Sequence, residues 1–235
     1  MGPNDAAQTN PQPQAAAPAA WLPFPSSWPG AFGLYKYSKQ AVKVNLEGIV
    51  LFWLGAAILS GILDAALKRP GQGIGFFIGT LFQGILVYLQ VNGVRQKKVE
   101  TGEAFNKGLN VWLKMIGLYI VVTLTLVVSF LLLVVPFFFV APRLVLASYF
   151  LVDKDMGVMD AFKASWDATK GHMGKVYGIV GASILMALLM VTIIGIPFAI
   201  YFLIMYSAAF AWLYEYVGKQ APQTASAPKT APAQA

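Results

Sequence analysis

Two stretches almost without charge decide what this chain can fold into. Residues 115–152 carry a single charge, Arg143, and residues 176–214 carry none. As one helix, either stretch would run about 60 Å at 1.5 Å per residue, twice the roughly 30 Å of a bilayer's hydrocarbon core, so each must turn back as a hairpin. Only four prolines lie outside the two ends of the chain, and Pro136 and Pro197 fall near the middle of these stretches, where a helix stops. The expected spans are therefore residues 114–135, 137–152, 176–195 and 198–217. Two more precede them, residues 48–67 and 71–94, joined by Lys68-Arg69-Pro70.

Such stretches leave no separate soluble core. The chain is 57% hydrophobic and 11% charged, whereas a soluble domain carries roughly 25% charged residues. The fold class that follows is all-α, a polytopic transmembrane helical bundle of about six spans. Lysine and arginine placement tests that number. With six spans, the segment before residue 48, the loops 95–114 and 153–175 and the C-terminal end share one side and hold fourteen of the seventeen Lys and Arg. Lys68 and Arg69 lie on the other side. If residues 137–152 did not cross, the two faces would carry about equal positive charge, so six spans with both termini in the cytoplasm is the expected topology.

The net charge of +7 thus reads as topology determinants and contacts with anionic lipid, not as a nucleic-acid surface. Cysteine is absent, which excludes disulfides, thiolate nucleophiles and Cys metal sites. Residues 1–30 hold seven of the fourteen prolines and share a Pro/Ala/Gln bias with residues 218–235. Both are expected to be disordered tails around a transmembrane domain of residues 31–217. Near the end of the first tail, Trp21 and Trp28 are expected to rest at the membrane interface or to act as a plain linker. The first lysine is Lys36, so the chain shows no basic signal-peptide start and its first span is expected to direct insertion.

A pattern recurs ahead of each hairpin. Ala31-Phe32, Ala104-Phe105 and Ala161-Phe162 each open a short helical segment that leads into an apolar run, predicting three hairpins, each preceded by a short amphipathic interfacial helix. In the second, Phe105, Leu109, Trp112 and Leu113 share a face opposite Asn106, Lys107, Asn110 and Lys114. In the third, Met159, Phe162 and Trp166 oppose Asp160, Lys163, Asp167 and Lys170, which places the aromatic rings in the interface and the two lysines at headgroups. Gly71, Gly75 and Gly79 are spaced four apart, and Gly174, Gly178 and Ala182 repeat that spacing. This glycine-zipper pattern is expected to bring helix backbones together inside the bundle or between two copies.

Chemistry is hard to find. His172 is the only histidine and lies in a polar stretch; there is no HExxH, CxxC or G-x-S-x-G, and no two carboxylates share a span. No catalytic residue, cofactor or metal is expected. Arg143 stands apart, because an ionisable group near mid-depth costs at least about 2.5 kcal/mol and is a functional candidate by default. Either it binds an anionic headgroup or solute, or it ties down carbonyls that Pro142 frees together with a carboxylate such as Asp153 or Asp160.

Pro142-Arg143-Leu144, Leu151-Val152-Asp153-Lys154, Ala161-Phe162-Lys163-Ala164-Ser165-Trp166 and Lys170-Gly171-His172 together resemble an uncharacterised bacterial integral membrane protein family. It is similar to the membrane domain found beside the catalytic domain in some glycerophosphodiester phosphodiesterases, and to stand-alone six-helix relatives. The likeness covers roughly a third of the chain and implies a bacterial inner-membrane location. It supplies no catalytic residues, and the chain has no room for the phosphodiesterase domain. The expected function is a non-enzymatic membrane accessory or scaffold whose partners are membrane lipids, other proteins or a second copy. The alternative is a transporter or channel for a small anion or lipid that uses Arg143.

Overall fold

The computed structural model describes residues 27–67, 69–132, 134–188 and 195–220. Of the tails expected at 1–30 and 218–235, residues 1–26 and 221–235 lie outside the described residues, as does Lys68, while residues 218–220 continue a helix. All regular structure among the described residues is helical: α1 (Leu34–Val44), α2 (Leu46–Leu67), α3 (Arg69–Val94), α4 (Thr101–Leu132), α5 (Val134–Leu144), α6 (Ala147–Lys154), α7 (Val158–Ala168), α8 (Met173–Leu188), α9 (Gly195–Tyr206) and α10 (Ala209–Gln220).

Five segments are long and apolar enough to cross a membrane, in α2, in α3, in α4, across α5–α6 and across α9–α10. There are six if α7 and α8, bent by 99°, form one broken span. Their outward faces suit hydrocarbon rather than water. Leu54, Ile58 and Ile62 on α2, Leu124 and Leu131 on α4 and Leu188 on α8 are all more than half exposed, an apolar surface far beyond what a soluble monomer presents. The segment expected as a separate interfacial helix before the third span is instead the start of α4, one continuous helix of 32 residues. The first copy begins later than Ala31-Phe32, which sit in a turn ahead of α1.

Helix ends also differ from the expectation at proline. Pro136 and Pro197 are each the third residue of a helix, in α5 and α9, where the missing N–H has no intrahelical acceptor to lose. α4 ends at Leu132 and α8 at Leu188, so each proline follows the end of one helix, and three more interruptions lie elsewhere. α1 gives way to α2 at Asn45, α5 to α6 at Val145-Leu146 and α9 to α10 at Ser207-Ala208. Asn45 is 4% exposed and stitches its break to the neighbouring loop. Its Nδ2 donates to the carbonyls of Leu89 and Lys97, both at 3.1 Å, and its Oδ1 accepts from the Val99 amide at 2.9 Å.

The amphipathic segments bury their small residues, not their aromatic ones. Leu34, Ser38 and Ala41 of α1, Ala104 and Gly108 of α4, and Ala161 and Ser165 of α7 are all buried, while Phe105, Leu109, Leu113 and Met159 stand 41%, 42%, 75% and 53% exposed. Small side chains let backbones close up. A Cβ on Gly108 would overlap the Ile85 side chain of α3, and one on Gly93 would overlap the Ala41 carbonyl of α1. The serines do more than leave space. Ser38 Oγ donates to the Met205 carbonyl and Ser165 Oγ to the Arg143 carbonyl, each at 2.7 Å. Both acceptors lie just ahead of a helix break, where the usual i+4 amide no longer serves them.

Removing the Ser38 hydroxyl should therefore leave a buried carbonyl unserved, and removing that of Ser165 should leave the Arg143 carbonyl only a long contact from Thr169 at 3.4 Å. Ser38→Ala and Ser165→Ala are each expected to cost about 1 kcal/mol in detergent thermal unfolding. Ser183→Ala is the control and should be near neutral, because Ser183 only adds a bond to its own helix at Ile179. Equal behaviour of all three variants would remove the break-capping role.

Candidate functional site

Arg143 closes the end of α5, and α7 crosses beside it. Its carbonyl accepts from Ser165 and, at 3.4 Å, from Thr169 Oγ1. Its guanidinium lies over the Trp166 ring, 4.9 Å from the centroid, a cation–π geometry. Nη1 is buried and has no hydrogen-bond partner among the described residues. Of the two carboxylates expected as partners, Asp153 is engaged elsewhere, bonding Arg95 and Tyr214, and Asp160 forms no ion pair with Arg143 among the described residues. A groove of about 360 Å³ runs along this corner, lined by Thr125, Val140, Phe162, Lys163, Trp166 and Asp167. Phe162 stacks on Trp166 at 6.4 Å, and Lys170 pairs with Asp167 at 2.6 Å, one turn along the exposed side of α7. Trp112, the remaining residue expected at the interface, donates instead to the Phe77 carbonyl at 2.8 Å and to Thr80 Oγ1 at 3.2 Å, which ties α4 to α3.

A second cluster escaped the reading of the sequence, where its members counted only as topology charges. Arg95, just past the end of α3, holds Asp153 of α6 with both terminal nitrogens at 2.5 and 2.7 Å and Glu215 of α10 through Nε at 2.6 Å. Tyr214 completes it by donating to Asp153 Oδ2 at 2.7 Å. The carboxylate side chains are only 9% and 14% exposed, the guanidinium 43%. Burial alone would lower the Arg95 pKa, but its hydrogen bond to Asp153 and the charges of Glu215 and Asp153 outweigh this and raise it. Nearby, Lys114 hydrogen-bonds Asp155 at 2.6 Å and holds that carboxyl below its ordinary range against a smaller opposing effect of burial.

These two sets of contacts share a register. Gly108 rests against Ile85, Ser165 on Arg143 and Ser38 on Met205. Ile85, Arg143 and Met205 each precede a member of the charged cluster, Arg95, Asp153 and Glu215, by ten residues. α4 thus packs on α3, α7 on α5 and α6, and α1 on α9 and α10. A sequence search could have found this through the small residue on each amphipathic segment and the charge at each span's exit. The Ala-Phe pairs hid it, because in the first copy they lie ahead of the helix.

The two small-residue stripes differ in how much of the expected packing they show inside this chain. Among the described residues, an added Cβ at Gly75, Gly79 or Gly174 would meet nothing within 4 Å, and at Gly178 it would touch the Ala31 Cβ at a tight 3.3 Å. Ala182 is 3% exposed and does pack into the core; Gly71 lies in α3, and its surroundings are outside the described residues. Trp28 is not spread on an interface either, since it packs edge-on against Tyr216 at 5.4 Å with Lys175 5.5 Å from its ring. No group of three or more His, Cys, Asp or Glu among the described residues is arranged to hold a metal. Comparison with protein-family models, curated proteins and solved structures finds no match. The resemblance carried by residues 142–172 gains nothing from them.

Proposed function

We propose that this chain is a non-enzymatic protein of the bacterial inner membrane that holds the headgroup of an anionic lipid at the corner between α5 and α7. One observation carries the reading: Arg143 Nη1 is buried beside Trp166 with no partner among the described residues. A buried guanidinium nitrogen is costly to leave unserved, and a phosphate oxygen is its best-matched acceptor. The adjoining groove is walled by Val140, Phe162 and Trp166 and has Lys163 at its edge, so an acyl chain and a headgroup both find suitable surfaces.

The proposed setting has six spans with both ends in the cytoplasm, α7–α8 being the broken one. The meeting of Arg95, Asp153 and Glu215 supports it, because it brings the C-terminal ends of three spans to one face. That is the face to which most lysines and arginines belong. The shared ten-residue register further supports three consecutive hairpin units arranged in a ring, each resting its amphipathic segment on the preceding unit. The family resemblance and a scaffold role toward protein partners are part of the same proposal.

Thermal unfolding in a neutral detergent, with and without phosphatidylglycerol, tests the lipid site. The natural chain should be stabilised by about 2.7 kcal/mol when free lipid stands near 100 times its Kd, and phosphatidylcholine should give much less. Arg143→Leu should abolish the difference between the two lipids. Arg143→Lys should keep part of it, since the charge remains but the planar donor set and ring stacking are lost. A leucine variant that retains the full preference for the anionic lipid would sink the proposal.

A further inference from the structure

A cavity of about 330 Å³ lies between α3, α4, α5, α6 and α10, and Arg143 is not part of its wall. Gln83, Tyr119, Ser148, Tyr149 and Phe210 line it, together with aliphatic side chains and no Asp, Glu, Lys, Arg or His. Every one of these residues belongs to a segment long and apolar enough to cross a membrane. Polar groups at such positions need partners, because hydrocarbon offers none. Tyr149 donates to Gln90 Oε1 at 3.1 Å. The side chains of Gln83, Tyr119 and Ser148, by contrast, make no hydrogen bond among the described residues.

One wall of the cavity is tied to the charged cluster through Tyr149. Tyr149 stacks on Tyr214 at 6.0 Å with 26° between the rings, Phe150 meets Tyr214 edge-on at 4.9 Å, and Tyr214 is bonded in turn to Asp153. A partly open cavity with three half-buried polar side chains that have no hydrogen-bond partner among the described residues, aromatic walls and no formal charge has a definite chemical preference. An ion would be stripped of water with no countercharge to meet it. A lipid tail would leave the amide and hydroxyls unserved. A polyol satisfies both kinds of wall, with hydroxyls for Gln83, Tyr119 and Ser148 and C–H edges for the rings. The volume lies within the range of small-molecule pockets.

We infer that this cavity is a binding site for a small uncharged polyol or sugar. The inference is independent of the lipid site, and its test omits anionic lipid so that the two readings fail separately. Purified full-length protein in neutral detergent is titrated with ribitol, and with ribonate as a charged molecule of nearly the same size, while unfolding temperature is followed. Ribitol should raise it saturably and ribonate should not. Tyr119→Phe and Ser148→Ala keep the shape of the wall, and each should weaken the ribitol response about three- to tenfold. Ala141→Trp, which fills the chamber from α5, should abolish it. No response to ribitol in the natural chain, an equal response to ribonate, or unchanged titrations in both conservative variants would each overturn the assignment.

Discussion

Gly108→Leu should prevent α4 from seating on α3 and cause a large loss of folded protein, whereas Gly75→Leu should be tolerated. The sequence pattern suggests the reverse, since Gly75 belongs to a run of glycines spaced four apart and Gly108 does not. At Gly108 even a methyl group would overlap the Ile85 side chain, and Ile85 is fully buried and cannot swing aside. Packed interiors resist added volume, with typical costs of 1–3 kcal/mol for single methylenes, so a leucine here should cost about 3 kcal/mol or more. Gly93→Ala makes the same point against backbone, because its Cβ would meet the Ala41 carbonyl. At Gly75 the Cβ meets nothing within 4 Å among the described residues, so leucine there has space to occupy. Detergent-resistant monodisperse yield and unfolding temperature read the comparison. If Gly75→Leu proved the more damaging, close contact along α3 would arise in an assembly of chains and the seat of Gly108 on Ile85 would be secondary.

The sequence disclosed what lipid and covalent geometry dictate. Runs of uncharged residues can be counted in membrane thicknesses whatever they pack against, and α2, α3 and the long apolar part of α4 fall close to where that measure places them. Helix breaks were less legible. Proline marks where an amide is missing, but a helix start tolerates that loss, so Pro136 and Pro197 begin helices. The interruptions at Asn45, Val145-Leu146 and Ser207-Ala208 are instead held by side chains far away in sequence. Ser38 reaches Met205 and Ser165 reaches Arg143, pairings that no local pattern encodes.

Amphipathicity marked the large apolar faces as interfacial but not the small residues that pack against the core. In water the larger apolar residues of a helix mark its buried face; beside a membrane they turn toward lipid and interface, and the protein core takes the small residues. Phe105 and Leu113 are accordingly exposed while Ala104 and Gly108 are buried. Arg143 was legible as an exception because a charge in an apolar run has few explanations. Its surroundings were not legible: the carboxylate nearest in sequence, Asp153, is drawn to Arg95, and an aromatic ring from the next amphipathic helix takes its place.

The charged cluster offers the other large expected effect. Arg95→Leu would leave Asp153 and Glu215, 9% and 14% exposed, close together with no cation between them. Breaking a buried ion pair by removing one partner costs 3–5 kcal/mol; because the guanidinium is partly exposed, the lower end applies, about 3 kcal/mol. Asp153→Asn should also be costly, since it removes the bidentate acceptor of Arg95 and the acceptor of Tyr214 together. The informative result is the combination. In an Arg95→Leu background, Glu215→Gln should restore part of the lost stability by removing one of the two repelling charges, so the pair should be non-additive by about 1–2 kcal/mol. Lys114→Ala provides the contrast, because Lys114 and Asp155 are 42% and 58% exposed and such pairs are worth less than about 1 kcal/mol. Unfolding in detergent at low and at moderate salt measures these variants together with Glu215→Gln alone, and the Lys114 effect should shrink with salt more than the Arg95 effect. Additive behaviour of Arg95 and Glu215, with a loss no larger than that of Lys114→Ala, would mean that the three span ends are held by their packing and not by this charge cluster.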